Sequence, residues 1–426
     1  MAGLEEIGTA QFHEVHGELY AEGVPVARVA ERVGTPFYLY SLGALRNTYR
    51  SLDRAFSRIR HSICFSVKAN SNLSILRVFA QEGSGFDIVS GGELYRVICA
   101  GGDPRTTVFS GVGKGPEEIR YALEHQILMF NVESSQELEE IDRIARSLGV
   151  KAPIALRVNP DVDPKTHPYI STGLKKSKFG IEIQKASDVY RRAKTLPNLE
   201  VIGVDCHIGS QLTRVSPFID ALERVKPLMQ ALSSSGIAIS FLDLGGGLGV
   251  TYHDELPPSH QEYADALIGS LDGFHGTLVL EPGRCLVANA GILVARVLYL
   301  KQTETKRFVV VDGGMNDLIR PSLYDSYHEV RAVRERGGTR RIADLVGPIC
   351  ESGDFFARDR AMPNLERGDL VALMSAGAYG FVMASNYNSK PRPAEVLVDG
   401  EDFCVIRERE TLEDLVRGEA IAPVLR

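Results

Sequence analysis

The chain has 426 residues, of which 44% are hydrophobic and 24% charged, and its 48 basic and 55 acidic residues give a formal net charge of −7. These fractions are those of an ordinary soluble globular protein and exclude disordered and collagen-like chains. A mildly acidic chain has no electrostatic means of holding nucleic acid or a membrane surface non-specifically, so neither is expected as a partner, although a local basic patch could still bind a small anion.

We expect neither a targeting segment nor a membrane span. The N-terminal residues MAGLEEIGTAQFHE carry acidic side chains without an apolar core, which is not the pattern of a signal peptide. The most apolar stretch, residues 291–300, is interrupted by Arg296 and is too short to cross a bilayer. Six cysteines without a C-x-x-C pair are too few for a disulfide scaffold, so we expect a cytoplasmic protein.

Three regions follow one another along the chain. Residues 1–35 predict a strand and a short helix, and we expect this segment to pack on the C-terminal domain. From residue 63 to 281, short apolar runs alternate with stretches of helical period. These runs are ICFSV (63–67), FDIV (86–89), TVFS (107–110), ILMFN (127–131), IALRV (154–158), IGVDCH (202–207), SFLDL (240–244) and TLVLE (277–281).

The eight runs predict a (β/α)8 barrel of the TIM type over residues 36–285. Continuous rather than alternating apolar runs indicate strands buried on both faces, as in a parallel sheet. The number of units and their total length fit a barrel. An open doubly wound sheet is the competing architecture, but it usually has fewer strands, and no G-x-G-x-x-G follows the first run.

Residues 286–426 predict a C-terminal antiparallel β domain. Apolar strands such as RFVVVDGG and AEVLVDGEDFCVI are joined by Gly, Asp and Pro turns, with few helices between them. The pair Asp399-Gly400 is a strong hairpin signal. We therefore expect an α/β protein that consists of one barrel and one β domain.

Several chemically useful residues end the predicted barrel strands, where the active sites of such barrels lie. Lys68 follows strand one, and an apolar setting would lower its pKa and make it a Schiff-base nucleophile, although it could simply extend to solvent. His207 ends strand six and could equally be structural. The glycine run at 245–247 suits close approach to a phosphate, or is only a tight turn. Glu281 ends strand eight and requires a partner.

Together these residues supply an amine, a flat ring, a phosphate cradle and a carboxylate. Pyridoxal 5'-phosphate has the matching groups, namely an aldehyde, an aromatic ring, a phosphate and a pyridine nitrogen. We therefore expect this cofactor, and the residues indicate no metal site.

The sequence also resembles the fold type III, alanine-racemase-like family of pyridoxal-phosphate enzymes, and within it the diaminopimelate decarboxylases. The resemblance covers nearly the whole chain. It rests on FSVKANSN, GFDIVSGGEL, HIGSQ, DLGGGLG, EPGR, MNDLIRPSLY, GPICESGD, GAYG and MASNYNS, which occur in the family's order.

This resemblance assigns roles to individual residues. It implies that Lys68 carries the cofactor, that His207 stacks on its ring, and that Cys350 is the acid that protonates the reacting carbon. The implied cofactor-binding residues are Lys68, His207, Ser210, Gly246, Gly247, Glu281, Pro282, Gly283, Arg284 and Tyr379. The implied substrate-binding residues are Arg284, Arg320, Tyr324, Glu351 and Tyr379. Cys350 and Glu351 would reach across a homodimer interface into the partner's barrel.

The implied reaction is the decarboxylation of meso-2,6-diaminopimelate to L-lysine, the last step of lysine biosynthesis. Glu281 favours decarboxylation over racemisation, because a carboxylate keeps the pyridine ring protonated and electron-withdrawing. Arg320 and Tyr324 with Glu351 suit a substrate that carries a second amino-acid group. The alternatives are a related decarboxylase of ornithine, arginine, D-lysine or carboxynorspermidine, and a non-catalytic regulatory homologue.

Overall fold

The computed structural model describes residues 11–162, 178–271 and 273–425. It divides into two compact units, one formed by residues up to Ala44 together with those from Ala288 onward, and the other by Leu45–Val287. No helix among the described residues is long and apolar enough to cross a membrane.

The N-terminal segment forms strands and one helix of the first unit. Its apolar side chains, such as Leu19 and Val29, share a core with Ile292, Val294 and other residues of the C-terminal part of the chain. The elements are β1 (Phe12–Val15), β2 (Glu18–Ala21), β3 (Val24–Pro25), α1 (Val26–Val33) and β4 (Phe37–Ser41). Strand β4 pairs with strands of the C-terminal part of the chain, so the first unit includes residues beyond 35, as far as Ala44.

The second unit is a closed parallel barrel, which confirms the fold predicted from the eight apolar runs. Its strands are β5 (His61–Ser66), β6 (Gly85–Ile88), β7 (Thr107–Phe109), β8 (Met129–Val132), β9 (Ala152–Asn159), β11 (Leu199–Asp205), β12 (Phe241–Asp243) and β13 (Thr277–Leu280), with a short β10 (Ile181–Glu182) beside β9. Pairing of β13 with β5, and of β8 with β9, closes the ring.

Helices alternate with these strands, as the helical periods predict. They are α2 (Leu42–Phe56), α3 (Leu73–Gln81), α4 (Gly91–Cys99), α5 (Pro116–Glu124), α6 (Ser135–Leu148), α7 (Ile183–Thr195), α8 (Ser216–Ser234), α9 (His260–Ser270) and α10 (Arg284–Val287). The ends of α6 show why the sequence folds this way. The Ser134 side chain accepts a hydrogen bond from the Glu137 amide, and Gly149 takes the left-handed conformation that ends the helix.

The barrel interior has an apolar layer and a polar layer. Cys64, Val108, Met129, Ala155 and Val279 pack together as the apolar layer. Side chains two residues further along a strand point to the same face. The polar layer above therefore follows on the same strands, and its members are Ser66, Ser110, Asn131, Arg157 and Glu281. This polar layer lies toward the carboxyl ends of the strands.

The remainder of the first unit is a mixed sheet. Its elements are β14 (Gly291–Gln302), β15 (Arg307–Val311), α11 (Arg320–Tyr324), β16 (Val330–Ala332), β17 (Arg341–Val346), β18 (Phe355–Met362), β19 (Leu370–Leu373), β20 (Ala394–Asp399), β21 (Asp402–Arg407) and α12 (Leu412–Leu415). Most pairs are antiparallel, as predicted, but β15–β17 and β20–β4 are parallel. The hairpin expected at Asp399-Gly400 joins β20 to β21.

Candidate active site

Lys68 lies at the carboxyl end of β5, in a single helical turn directly after the strand. Its Nζ donates a hydrogen bond to Asp87 Oδ2 over 2.5 Å, and the Ser66 hydroxyl donates to the same oxygen over 2.7 Å. The Lys68 side chain is 38% exposed, whereas that of Asp87 is fully buried. The apolar setting expected for Lys68 is therefore wrong: a buried carboxylate holds the amine at the mouth of the barrel.

His207 follows β11 and carries a neutral ring. Burial lowers its pKa well below the ordinary value, and the positive charges of Arg157 and Lys68 lower it further. A side chain on Gly245 would begin 2.5 Å from His207 Nδ1, and Gly245 also has a φ of +64°. Only glycine fits beside the imidazole at this position.

The glycine run forms a turn that leaves no room for side chains. A Cβ on Gly246 would lie 2.2 Å from the carbonyl oxygen of Glu281. Gly247 has a φ of +122°, and a Cβ there would lie 2.5 Å from the carbonyl oxygen of Gly209. The backbone of this turn is thus bare, as a phosphate cradle requires.

Glu281 directly follows β13 and is buried at the base of the same mouth. Its Oε1 accepts hydrogen bonds from Ser110 Oγ over 3.0 Å and from Asn131 Nδ2 over 3.1 Å. Burial and the charge of Asp87 raise the pKa of Glu281 to about 7. Such a carboxyl group is suited to share a proton with a ring nitrogen near neutral pH.

Arg284 and Ser210 meet near this turn. Arg284 Nη2 donates to Ser210 Oγ over 3.0 Å, and Nη1 donates to the Tyr252 hydroxyl over 2.8 Å. The neighbouring Pro282 carbonyl accepts from the Ser66 amide, and a Cβ on Gly283 would lie 3.0 Å from the side chains of Ser66 and Ala69. The structure therefore brings together the predicted residues on the carboxyl ends of β5, β11, β12 and β13.

The other predicted residues belong to the first unit, in its part from Ala288 onward. Arg320 begins α11 and is only 5% exposed. Its Nη1 lies 3.2 Å from His328 Nε2, and its Nη2 donates to Ser326 Oγ over 3.3 Å. Tyr324 ends the same short helix and is partly buried.

Cys350 and Glu351 lie in an exposed turn between β17 and β18. The Cys350 amide donates to Asn388 Oδ1 over 2.7 Å. Tyr379 has a φ of +55°, a left-handed conformation that costs a non-glycine residue about 1–2 kcal/mol. Strain of this kind concentrates at functional sites.

Sequence reasoning assigned no role to a group of buried polar residues around Glu281. They are fully or almost fully buried and lie on, or directly after, five barrel strands: Asp87, Asn131, Glu133, Arg157, Asp205 and Asp243. Their signal is a polar residue inside or at the end of an otherwise apolar run, as in IALRV and SFLDL. Charged side chains are almost never fully buried unless they are paired, so this pattern indicates a network of paired polar groups inside the barrel.

The residues present fit pyridoxal phosphate. The barrel mouth offers an amine on Lys68, a neutral imidazole on His207, a side-chain-free turn at Gly246 and Gly247, and a carboxyl group with a raised pKa on Glu281. Each of these matches one functional group of the cofactor.

Comparison with known families identifies the class. The family described as "pyridoxal-dependent decarboxylase, pyridoxal binding domain" matches residues 42–288, which include the entire barrel. The chain belongs to this family of pyridoxal-phosphate-dependent carboxy-lyases.

Within this family, the chain is similar over nearly its full length to diaminopimelate decarboxylases. The chain is 59% identical to the diaminopimelate decarboxylase of Pseudomonas aeruginosa over 406 residues, which are 95% of this chain and 98% of the relative. It is 53% identical to the diaminopimelate decarboxylase of Vibrio cholerae over 412 residues, 96% and 99% of the two chains. The crystal structure of the Helicobacter pylori diaminopimelate decarboxylase complexed with L-lysine is similar, with a TM-score of 0.89, 45% identity and coverage of 92% and 98%.

Proposed function

We propose that this chain decarboxylates meso-2,6-diaminopimelate at its D-centre and releases L-lysine and CO2, the last step of lysine biosynthesis. The observation that carries this proposal is the near full-length similarity to diaminopimelate decarboxylases at up to 59% identity, together with a similar structure that binds L-lysine. The barrel mouth supports it, because its residues fit the cofactor of such an enzyme.

The residues proposed to hold pyridoxal phosphate are those that the sequence singles out. Lys68 would carry it through its amine, while the residues proposed around its phosphate and ring are His207, Ser210, Gly246, Gly247, Glu281, Pro282, Gly283, Arg284 and Tyr379. When bound, the cofactor supplies an aldehyde that condenses with amines and a protonated ring that accepts the electron pair left as CO2 departs.

The chain's own residues would prepare this chemistry. Asp87 holds the Lys68 ammonium at the strand end. Its carboxylate would accept the proton that the ammonium must lose before the amine reacts. The His207 imidazole, whose pKa is lowered so that the ring is neutral, would stack on the cofactor ring without adding positive charge. Glu281, whose pKa is raised to about 7, would keep the proton on the ring nitrogen and so maintain the electron-withdrawing form.

Arg320, Tyr324 and Glu351 would recognise the end of the substrate that does not react. That end carries both a carboxylate and an ammonium, so it requires a cation and an anion together. The buried Arg320 guanidinium presents donors in a fixed plane because His328 and Ser326 hold it. Arg284 would contact a carboxylate as well, and Tyr379 would contact both phosphate and substrate. An ornithine decarboxylase needs only an ammonium site at this end.

Cys350 would donate a proton from its Sγ to the carbon that has lost CO2. In the single chain this thiol is exposed to solvent, as is Glu351. Water would compete with an exposed acid, so a second copy of the chain is needed to cover it. We therefore propose a homodimer in which these two residues complete the partner's site. The unit Leu45–Val287 would be the cofactor-binding domain, and six free cysteines suit a cytoplasmic enzyme.

The proposal is tested by incubating the holoenzyme with meso-diaminopimelate, ornithine, arginine or D-lysine in parallel, and measuring CO2 and product. We expect turnover of diaminopimelate at a kcat/KM at least about 10³-fold above the others, because a site built to pair charged groups rejects analogues that lack them. Comparable turnover of ornithine would favour the related decarboxylases. Absence of CO2 from all four would favour a non-catalytic homologue.

A substitution at Arg320 tests the clamp, by which we mean the proposed binding of the non-reacting end of the substrate by Arg320, Tyr324 and Glu351. Arg320→Met keeps the length of the apolar stem but removes the guanidinium, and we expect it to weaken diaminopimelate binding by about 2–5 kcal/mol. Arg331→Met, at a 40% exposed arginine on β16, is the control and should leave KM unchanged. A wild-type KM for Arg320→Met would refute the clamp.

A further inference from the structure

One amide group donates to both the Glu281 and the Asp243 carboxyl groups, which also hydrogen-bond each other. Asn131 Nδ2 lies 3.1 Å from Glu281 Oε1, 3.0 Å from Asp243 Oδ2 and 3.1 Å from Ser110 Oγ. The Ser110 hydroxyl in turn donates to Glu281 Oε1. Asn131 and Asp243 are fully buried, so water does not compete for these contacts.

Asp243 also ties this arrangement to the glycine turn. Its Oδ1 accepts a hydrogen bond from the Gly245 amide over 2.9 Å, and the Gly245 carbonyl accepts from the Glu281 amide over 2.8 Å. The Glu281 carboxyl group and the turn at 245–247 are therefore held through one side chain. A movement of Asp243 would displace both.

From this geometry we propose that Asn131 and Asp243 are positioning residues for Glu281, and that their bridge sets the Glu281 carboxyl group and the glycine turn at a fixed separation for pyridoxal phosphate. The inference rests on the proposed cofactor-binding role of these residues, not on the choice of substrate. The ring nitrogen and the phosphate would belong to one small ligand, so a site whose two ends are already held at a fixed separation would cost less ordering on binding.

The charges around the bridge explain why an amide is needed. Among the described residues around the bridge, acids outnumber bases: the acids are Asp87, Glu133, Glu137, Asp205, Asp243 and Glu281, and the bases are Arg157, Lys68 and Lys114, whose Nζ donates to the Asn131 carbonyl. Burial raises the pKa values of Asp205 and Asp243, so this interior retains protons. A neutral group that donates to both Glu281 and Asp243 holds two carboxyl groups together without adding charge.

The test replaces Asn131 by its near-isostere. Asn131→Asp keeps the shape but removes the amide donors, and the introduced carboxyl group can donate only while protonated. We expect the dissociation constant of pyridoxal phosphate, measured by absorbance titration of the cofactor-free protein, to rise about 10- to 100-fold at pH near 8, and the defect to shrink near pH 6. A merely structural defect would not depend on pH in this way.

Tyr190→Phe is the matched control, because its hydroxyl donates one buried hydrogen bond to the Gly203 carbonyl elsewhere in the barrel. It should lower the unfolding midpoint in urea and leave cofactor affinity unchanged at both pH values. If Asn131→Asp behaves as this control does, the proposal is overturned.

Asp243→Asn provides a second variant in case the first does not fold. It replaces one of the two acceptor oxygens of Asp243 by an NH2 group, so the side chain can accept from Asn131 or from the Gly245 amide but not from both, and it adds no ionisable group. It should therefore weaken cofactor binding about 10-fold, with no greater dependence on pH than in the wild type. Wild-type affinity in this variant would also overturn the proposal. These measurements use no amino-acid substrate, so they stand apart from the outcome of the substrate panel.

Discussion

At the scale of single residues, the position of the Lys68 amine at the barrel mouth is fixed by its hydrogen bond to Asp87. Lys68 projects from the end of β5 and is held by Asp87, a carboxylate that is itself fully buried and accepts from Ser66. A buried carboxylate is stable when paired in this way, and it fixes the position of the amine more precisely than an apolar pocket would.

Lys68→Ala should abolish the yellow absorbance of the enzyme-bound cofactor and all measurable turnover, because it removes the amine that is proposed to bind the aldehyde of the cofactor. Lys185→Ala, at an exposed lysine on α7, is the control and should leave the spectrum unchanged. The spectra of the two purified variants with added pyridoxal phosphate decide the matter. An unchanged spectrum for Lys68→Ala would remove the central cofactor assignment.

Glu281 makes the stability of the cofactor-free protein depend on pH. Its pKa in the folded protein is raised to about 7, above the value it has in an unfolded chain. Between these two values the folded state binds more protons than the unfolded state, so raising the pH destabilises it. Asp205 and Asp243 act in the same direction.

We therefore expect the contribution of Glu281 to the free energy of unfolding in urea to fall from about pH 5 to about pH 8, so that Glu281→Gln loses less stability over this range than the wild type does. The control is Glu262→Gln, since Glu262 is an exposed helix-capping carboxyl whose pKa is lowered and which titrates below this range. A slope that Glu281→Gln leaves intact would contradict the assigned pKa.

At the scale of elements, the turn after β12 depends on glycine for a steric reason. Gly246→Ala would place a methyl group 2.2 Å from the Glu281 carbonyl oxygen. The backbone must shift, so we expect at least about 10-fold weaker cofactor binding and a loss of about 1–3 kcal/mol in unfolding free energy. Cofactor titration and urea unfolding measure the two effects.

Gly269→Ala is the matched control. Gly269 lies in α9 and an added Cβ there meets no atom within 4 Å. This change should stabilise the protein by up to about 1 kcal/mol and leave cofactor affinity unchanged. Wild-type affinity in Gly246→Ala would show that the turn does not hold the phosphate.

The elements also show which parts of the site could be predicted from sequence. The sequence singles out Lys68, His207 and Glu281 because each ends or directly follows an apolar run, and strand ends of a parallel barrel converge. The contacts of Asn131 with Asp243 and Glu281 could not be found in this way, because they join side chains on β8, β12 and β13. Such contacts depend on the register and closure of the whole barrel.

At the scale of the whole molecule, the chain divides into two compact units. The barrel was predictable because its eight runs repeat regularly, whereas the parallel pairs β15–β17 and β20–β4 were not. β20 pairs with β4, which precedes it by some 350 residues, and no local pattern indicates so distant a partner.

The proposed dimer predicts complementation between inactive variants. In a hybrid of Lys68→Ala and Cys350→Ala subunits, one of the two sites has both residues intact, so a random equal mixture should recover about a quarter of wild-type activity. A mixture of Lys68→Ala and Glu281→Ala is the control and should recover none, because both changes affect residues of the same barrel. No recovery in the first mixture, with subunit exchange verified, would place Lys68 and Cys350 of one chain in the same site.

The most direct measurement of the central claim is the chirality of the product. The holoenzyme is incubated with meso-diaminopimelate as the only substrate, and the lysine formed is resolved into its enantiomers while CO2 is measured. We predict one equivalent of L-lysine for each CO2, because only the D-centre loses its carboxylate. D-lysine, or lysine without matching CO2, would contradict the proposed reaction.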